Sequence, residues 1–331
     1  MATVTPIQTG NVPSKLLPPE ITGPIFDQAV ESSAVMQLAR RVPLSLTAET
    51  AIPVSGDVPL ADWVDEAGAK PLGSGSLSVR TMRGKKVAVL VPVSAEVAMT
   101  NPAGVYQQLQ RDLPTALGRA FDYAAIHGKT MTGGKGPFED HLTATPNTQV
   151  LGTATQAKGG IYADVVTGLK SVATAGYDVN GFVADPLLKP EMLLATDTTG
   201  RPMFVPDPAG QGTVSRGSLI GYPIAYNRGV GGKLNRQSTT ADTGLRAVAG
   251  DWDQAVYGVG MDITIKTTDV GTYTDSDGHV HSAFQENLVL ILCEAHYGFA
   301  IGDTEAFVTY TTPPVAPKGK PPTQDKFALA A

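Results

Sequence analysis

Residues 51–93 read AIPVSGDVPLADWVDEAGAKPLGSGSLSVRTMRGKKVAVLVPV, and how this stretch folds decides the architecture. Its two ends, residues 51–59 and 77–91, are rich in Val, Leu and Thr with short-range alternation, which predicts extended strands. Between them, the run from Trp63 to Pro71 and the Gly/Ser cluster at 73–76 predict a turn-rich tip. The ribbon so formed is more than forty residues long, and a two-stranded ribbon is marginal in water unless it packs on something. Its natural support is another subunit.

Upstream, Pro6, Pro13, Pro18 and Pro19 crowd the first twenty residues. Proline lacks an amide donor and pushes its predecessor toward extended conformations, so this segment is predicted to be an arm. Its apolar residues Ile7, Val12, Leu16 and Leu17 need a surface, which a contact between subunits provides. From Thr22 the pattern changes: Ile25, Phe26, Ala29, Val30, Val35, Leu38 and Ala39 recur at helical spacing, predicting a docking helix up to Arg40 and Arg41.

Downstream, Ser94 opens a helix signal, which resumes after Asn101-Pro102 through Val105, Leu109, Leu113, Leu117, Phe121 and Ala124 to His127-Gly128, with a bend expected at Pro114. Residues 129–160 read as loop. A helix at 161–175, a short strand at 181–185, a helix at 186–196 and a strand at 221–226 suggest an α+β lobe. Residues 247–266 and 284–310 are strand-rich, and residues 313–322 form a Pro/Lys-rich extended tail. The fold class is α+β. Its divisions are 1–48 (arm and docking helix), 49–93 (extended hairpin loop), 94–160 (long helix), 161–246 (α+β lobe), 247–312 (return strands) and 313–331 (tail).

The chain has 331 residues, 25 Lys+Arg against 31 Asp+Glu, and a net charge of −6. That balance, with no Lys/Arg block, excludes a large cationic footprint for reading nucleic-acid sequence. Its 36 glycines and 25 prolines make it turn-rich, yet below the roughly 25–30% that signals disorder. The single Cys293 forms no internal disulfide. The apolar runs at 87–93 and 288–293 are far shorter than the ~20 residues that span a bilayer, and the N-terminus lacks a signal-peptide pattern. A soluble intracellular product, without a membrane role, is expected.

Patterns that imitate active sites fail on spacing. Gly128-Lys129-Thr130 resembles the end of a phosphate loop, but the glycine required five places earlier is Tyr123. In the calcium-loop register set by Gly278, the first and last ligand positions are Tyr273 and Phe284. His279 and His281 alternate on one face, but nothing nearby completes a tetrahedral set, so exposed turn histidines are the better reading. No cofactor, metal or catalytic constellation is expected.

Taken in order, these elements resemble the major capsid protein family of tailed bacteriophages. Ala61-Asp62-Trp63-Val64-Asp65-Glu66 followed by Ala69-Lys70-Pro71 resembles the tip of the family's extended loop. Val93-Ser94-Ala95-Glu96 resembles the exit into its spine helix. Leu219-Ile220-Gly221-Tyr222-Pro223-Ile224 resembles a strand of the axial lobe, Gly250-Asp251-Trp252 its Gly-Asp-aromatic turn, and residues 286–294 running on to Phe307-Val308 the last strands. The resemblance implies a shell of hexamers and pentamers, each hairpin lying across a neighbour with Trp63, Val64, Glu66 and Lys70 in contact. It implies a portal at one vertex and enclosed double-stranded DNA held without sequence reading. It also implies assembly in the host bacterial cytoplasm into a virion capsid. Only about twenty residues precede the docking helix, where some family members carry a long scaffolding segment, which implies a separate scaffolding protein or none. Encapsulin compartments resemble the same fold and are the alternative; the proline-rich arm favours a virus.

Some members of the family join a hairpin lysine to a neighbour's asparagine with a glutamate assisting. The resemblance places these roles on Lys70, Asn287 and Glu294. An offset of seven along a strand puts Asn287 and Glu294 on opposite faces unless a bulge intervenes, so the assisting glutamate is expected from another subunit. The competing readings are a loop-shaping Lys-Pro, a turn asparagine and a glutamate paired with a nearby cation.

Overall fold

The computed structural model describes residues 33–45, 48–57, 61–64, 70, 72, 76–95, 105–195, 216–232, 242–274 and 278–312. In chain order the elements are α1 (Ala34–Leu38), β1 (Arg40–Pro43), β2 (Thr50–Asp57), β3 (Ser76–Met82), β4 (Lys85–Ser94), α2 (Val105–His127), β5 (Thr148–Val150), α3 (Gly160–Thr174), β6 (Gly181–Ala184), α4 (Leu188–Leu193), β7 (Arg216–Leu219), β8 (Tyr222–Tyr226), β9 (Leu245–Gly250), β10 (Ala255–Thr268), β11 (Thr272–Thr274), β12 (Val280–Ser282), β13 (Leu288–Ile301) and β14 (Phe307–Thr311). The mixed α+β class read from the sequence holds.

A four-stranded sheet, ordered β1-β10-β13-β4, packs one face on α2. In β4 the residues Val87, Val89, Val91 and Val93 turn to that core, while Lys86, Ala88, Leu90 and Pro92 are exposed. This is the period-two alternation of a strand with one buried face. Phe121 of α2 anchors the contact, its ring 5.5 Å from Tyr297, 5.7 Å from Phe138 and 6.1 Å from Phe299 by centroids. Fully burying such a side chain is worth roughly 1.5–3 kcal/mol, and Leu113, Leu117 and Ile126 add to the same stripe. Pro114 sits inside α2, and Gly128, at φ +62, ends it with its amide on the Ala124 carbonyl. The phosphate-loop imitation is therefore a helix stop.

The second body is a six-stranded mixed sheet, ordered β5-β14-β9-β6-β8-β7, covered by α3 and α4. β6 is buried throughout because it lies inside the sheet. β7 and β8 join through Ile220 and Gly221, at φ +54 and +85, a two-residue hairpin turn in which both residues are left-handed. At the Gly250-Asp251-Trp252 turn, the indole donates to the Gly181 carbonyl at 2.9 Å and the Asp251 side chain caps the following turn.

Three expectations are corrected. The extended ribbon does not run on to Val91. β2 pairs with β3 only as far as Met82, and after Arg83-Gly84 the chain enters β4, which pairs with β13. Alternation alone does not choose a partner strand, and β13 offers β4 a ten-residue ladder over a buried core. The docking helix ends at Leu38, and Arg40 and Arg41 lie in β1 beside β10. The helix signal at Ser94 holds beside the strand end: Ser94 is the last residue of β4, paired with Leu288, and Ala95 directly after it is helical. Residues 129–160, read as loop, also contain β5, which adds to the edge of β14.

Candidate assembly surfaces

The hairpin is fixed at its root and open at its tip. Ile52 of β2 and Met82 of β3 are buried with Leu44, Val256 and Ala300 on the sheet face opposite α2. Met82 lies against Gly258 and Gly298, which are register partners in β10 and β13. At the other end Trp63 is 99% exposed, Leu72 101% and Val64 42%. Lys70 is exposed as well. Glu66, Ile7, Val12, Leu16 and Leu17 lie outside the described residues.

Asn287 does not sit on the strand. It precedes β13 at φ +52, in the left-handed region that asparagine tolerates better than most residues. Its carbonyl accepts from the Ala95 amide at 2.9 Å, and its side chain is exposed. The parity argument therefore starts from a turn residue.

Glu294 lies mid-strand in β13, opposite Ala88 on one side and Thr264 on the other. Its Oε1 takes the Lys86 ammonium and its Oε2 lies 3.8 Å from the Lys266 Nζ, while its own side chain is 11% exposed. The Lys86 ammonium holds the carboxyl below its ordinary range, against the desolvation that opposes it. Lys70, Asn287 and Glu294 thus occupy three separate places: an exposed loop, a turn, and a charge-bridged sheet face.

The other sequence candidates resolve as structural groups. His281 meets Glu286 at 2.8 Å and stacks on Tyr273 with centroids 5.0 Å apart. Among the described residues, no group of three His, Cys, Asp or Glu side chains is placed to hold a metal ion. His127 bonds the carbonyls of Gly229 and Val230. Cys293 is fully buried, which pushes its thiol up to about 11 and leaves it unreactive. No helix among the described residues is long and apolar enough to cross a membrane.

One site escaped the sequence reading. Asp122 of α2 is fully buried where α1, α2 and the six-stranded body meet. Its carboxylate accepts from the Ser33 hydroxyl (2.6 Å), the amides of Ala34 (2.8 Å) and Val35 (3.2 Å), and the Asn227 side chain (2.6 Å). It ties the first turn of α1 to the spine and, through Asn227, to the end of β8. Burial nevertheless pushes its pKa up to about 7. The only local signal is a carboxylate inside the apolar run AFDYAAI, at residues 120–126.

This architecture has known counterparts. A solved structure from Gordonia phage Cozz covers 85% of this chain and 86% of its own at a TM-score of 0.68 and 27% identity. Among curated proteins, the probable major capsid protein gp17 of Mycobacterium phage D29 is 30% identical over 312 residues, 92% of each chain. The major capsid protein of Staphylococcus phage 80alpha is 24% identical over 297 residues, 87% of this chain and 82% of that one. Residues 14–312 match the Phage capsid family, and with near-full-length kinship to D29 gp17 the chain belongs to that family.

Proposed function

We propose that this chain is the major capsid protein of a tailed phage, grouping as hexamers and pentamers into an icosahedral shell around packaged double-stranded DNA. The carrying observation is the hairpin tip: Trp63, 99% exposed in the single chain, is a large aromatic of the kind that anchors contacts between subunits. The relatives named major capsid protein, matched over nearly the whole chain, support the same reading. The net charge of −6 suits a container that does not hold its genome tightly. A portal at one vertex, a separate scaffolding protein and assembly in the host bacterial cytoplasm complete the proposal. Electron microscopy of the expressed, purified protein tests it: closed shells or ring-shaped capsomers are expected, and monomers under every assembly condition reject it.

The contacts we assign between subunits are the arm residues Ile7, Val12, Leu16 and Leu17, and the tip residues Trp63, Val64, Glu66 and Lys70. At these contacts we further assign a covalent bond. The Lys70 amine of one copy loses a proton to Glu294, attacks Cγ of Asn287 and forms a C–N bond. The Cγ–Nδ2 bond breaks, and Nδ2 leaves as ammonia with the proton returned. Along an extended chain Asn287 and Glu294 of one copy stand roughly 20 Å apart, so the glutamate that serves a given Asn287 belongs to a different copy. Boiling particles in detergent before a denaturing gel tests the bond. A ladder lost in Lys70→Ala supports it, and a single 34.4 kDa band rejects it.

A further inference from the structure

Gly128-Lys129-Thr130, the phosphate-loop imitation that stops α2, leads into a short closed loop. Lys129 pairs with Lys135 in an isolated bridge, the Thr130 amide donates to the Gly134 carbonyl at 2.9 Å, and the Gly136 amide donates to the Gly128 carbonyl at 2.8 Å. A Cβ on Gly136 would sit 2.6 Å from the Gly128 carbonyl carbon, so the missing side chain lets the two ends of the loop meet. Thr130 and Met131 of this loop wall a cleft of about 200 Å³ between the first residues of β4 and the last turns of α2. Ala120 and Ala124, one helical turn apart on α2, leave the space, and Phe121, Phe138 and Tyr297 floor it. The three rings are buried, while Met131 is exposed at the mouth.

The rim of this cleft is cationic in a chain of net charge −6. Lys85 lies two residues before Val87, on the face of β4 turned to α2, and Lys129 and Lys135 are the exposed bridge pair of the loop. Among the described residues none of these three lysines has an ion pair. Lys86, also at the mouth, is tied to Glu294. In the neighbouring cleft Glu49 pairs with Arg83 and Asp140 accepts from the Ile301 amide, while Glu139 is exposed. Three like charges around one apolar hollow repel each other and attract an anion.

We propose that the cleft binds a segment of a partner protein in which one aromatic or aliphatic side chain, flanked by carboxylates, enters the hollow. The carboxylates meet Lys85, Lys129 and Lys135, and the apolar group lies on the buried rings. A dry cavity of ~150 Å³ holds a benzene ring, so the hollow has room for one such side chain and is too small for a helix face. A phosphodiester backbone would satisfy the lysines but brings no apolar group to cover the floor, which favours a peptide over a nucleic acid. An apolar anchor in a pocket with charges around it is the arrangement that concentrates affinity in protein interfaces.

Fluorescence anisotropy with the full-length chain tests this, the probe being a dye-labelled peptide of one phenylalanine between two pairs of glutamates. Saturable binding that weakens as salt rises is expected, and alanine in place of the peptide's phenylalanine is expected to weaken it roughly tenfold or more. Lys85→Gln/Lys129→Gln/Lys135→Gln, three exposed positions, is expected to weaken it roughly tenfold. Ala120→Leu, which fills the hollow from α2, is expected to act by a similar factor, and the lysine variant carries the test if Ala120→Leu does not fold. Absence of binding, equal affinity for the alanine peptide, or unchanged affinity in the lysine variant overturns the site. Displacement of the peptide by a double-stranded oligonucleotide would make the patch a nucleic-acid contact. Loss of subunit association in saturating peptide, measured by sedimentation, would make the occupant a second copy, and either result overturns the proposed partner.

Discussion

Gly258 and Gly298 stand directly opposite each other in β10 and β13, and the missing side chains form the notch in which Met82 lies. A Cβ on Gly298 would sit 2.8 Å from Met82 Cγ and 3.1 Å from Leu44, and one on Gly258 would sit 2.7 Å from Met82 Cε. The pair therefore seats the root of the hairpin and sets where it leaves the sheet.

Gly298→Ala is expected to destabilise the isolated subunit by about 1–3 kcal/mol, the usual cost of overpacking. Met82→Ala alone should cost about 2–5 kcal/mol through the cavity it leaves. Combined, the two should cost clearly less than their sum, because the new methyl occupies space that Met82 vacates. Denaturant melts of the four proteins measure this; simple additivity would show that the notch does not seat the hairpin.

Asp122 gives the subunit a pH dependence of definite sign. Its folded pKa of about 7 lies above the ordinary carboxyl value of 3.8, so between these values the folded chain holds a proton that the unfolded chain has released. The stabilising contribution is fully present below pH ~4, declines as pH rises and is lost above about pH 7. Asp122→Asn removes that slope. It also turns an amide NH2 toward at least one of the N–H donors from Ala34, Val35 and Asn227, at a cost of about 1–3 kcal/mol. Urea melts of both proteins from pH 5 to 8 check both statements, and parallel curves would refute the slope.

Trp63→Ala should barely change the melting of isolated subunits, since Trp63 touches solvent there. Truncated interface aromatics commonly cost ~2 kcal/mol or more, so assembled particles should lose stability markedly. Calorimetry of both forms distinguishes the outcomes, and equal losses would place the anchor inside the subunit.

Arg246 is completely buried in β9, its guanidinium held by both oxygens of Asp242 at 2.9 and 2.7 Å, with Glu191 at 3.4 Å. Arg246→Met leaves two carboxylates without their cation, which typically costs about 3–5 kcal/mol. Thermal melts should show the loss, and Arg246→Lys should recover only part of it because the two-pronged geometry is gone.

Deleting residues 2–20 should leave a soluble subunit that fails to close normal shells, since the prolines of this segment disfavour a local fold and its aliphatic residues need a surface. Particle counts by electron microscopy decide this, and normal shells from the shortened chain would contradict it.

What the sequence determined by itself is whatever depends on neighbours a few residues away. The alternation at 87–93 marks β4, helical spacing from Val105 to His127 marks α2, and Gly128 stops it. The order of elements was enough to suggest the family. Partners far along the chain were decided only by the tertiary structure. Extended residues 77–91 read as one strand, but they split at Arg83-Gly84 because Met82 finds the notch of Gly258 and Gly298 while Lys85–Ser94 finds β13. Asp122 looks like a misplaced charge until Ser33, 89 positions earlier, and Asn227, 105 later, close around it. Glu294 was visible as a residue, but the lysines that hold it arrive from two other strands. Hydrogen-bonding and charge complementarity act through space at about 3–4 Å, and a linear pattern carries no record of which distant residues the sheet brings within that range.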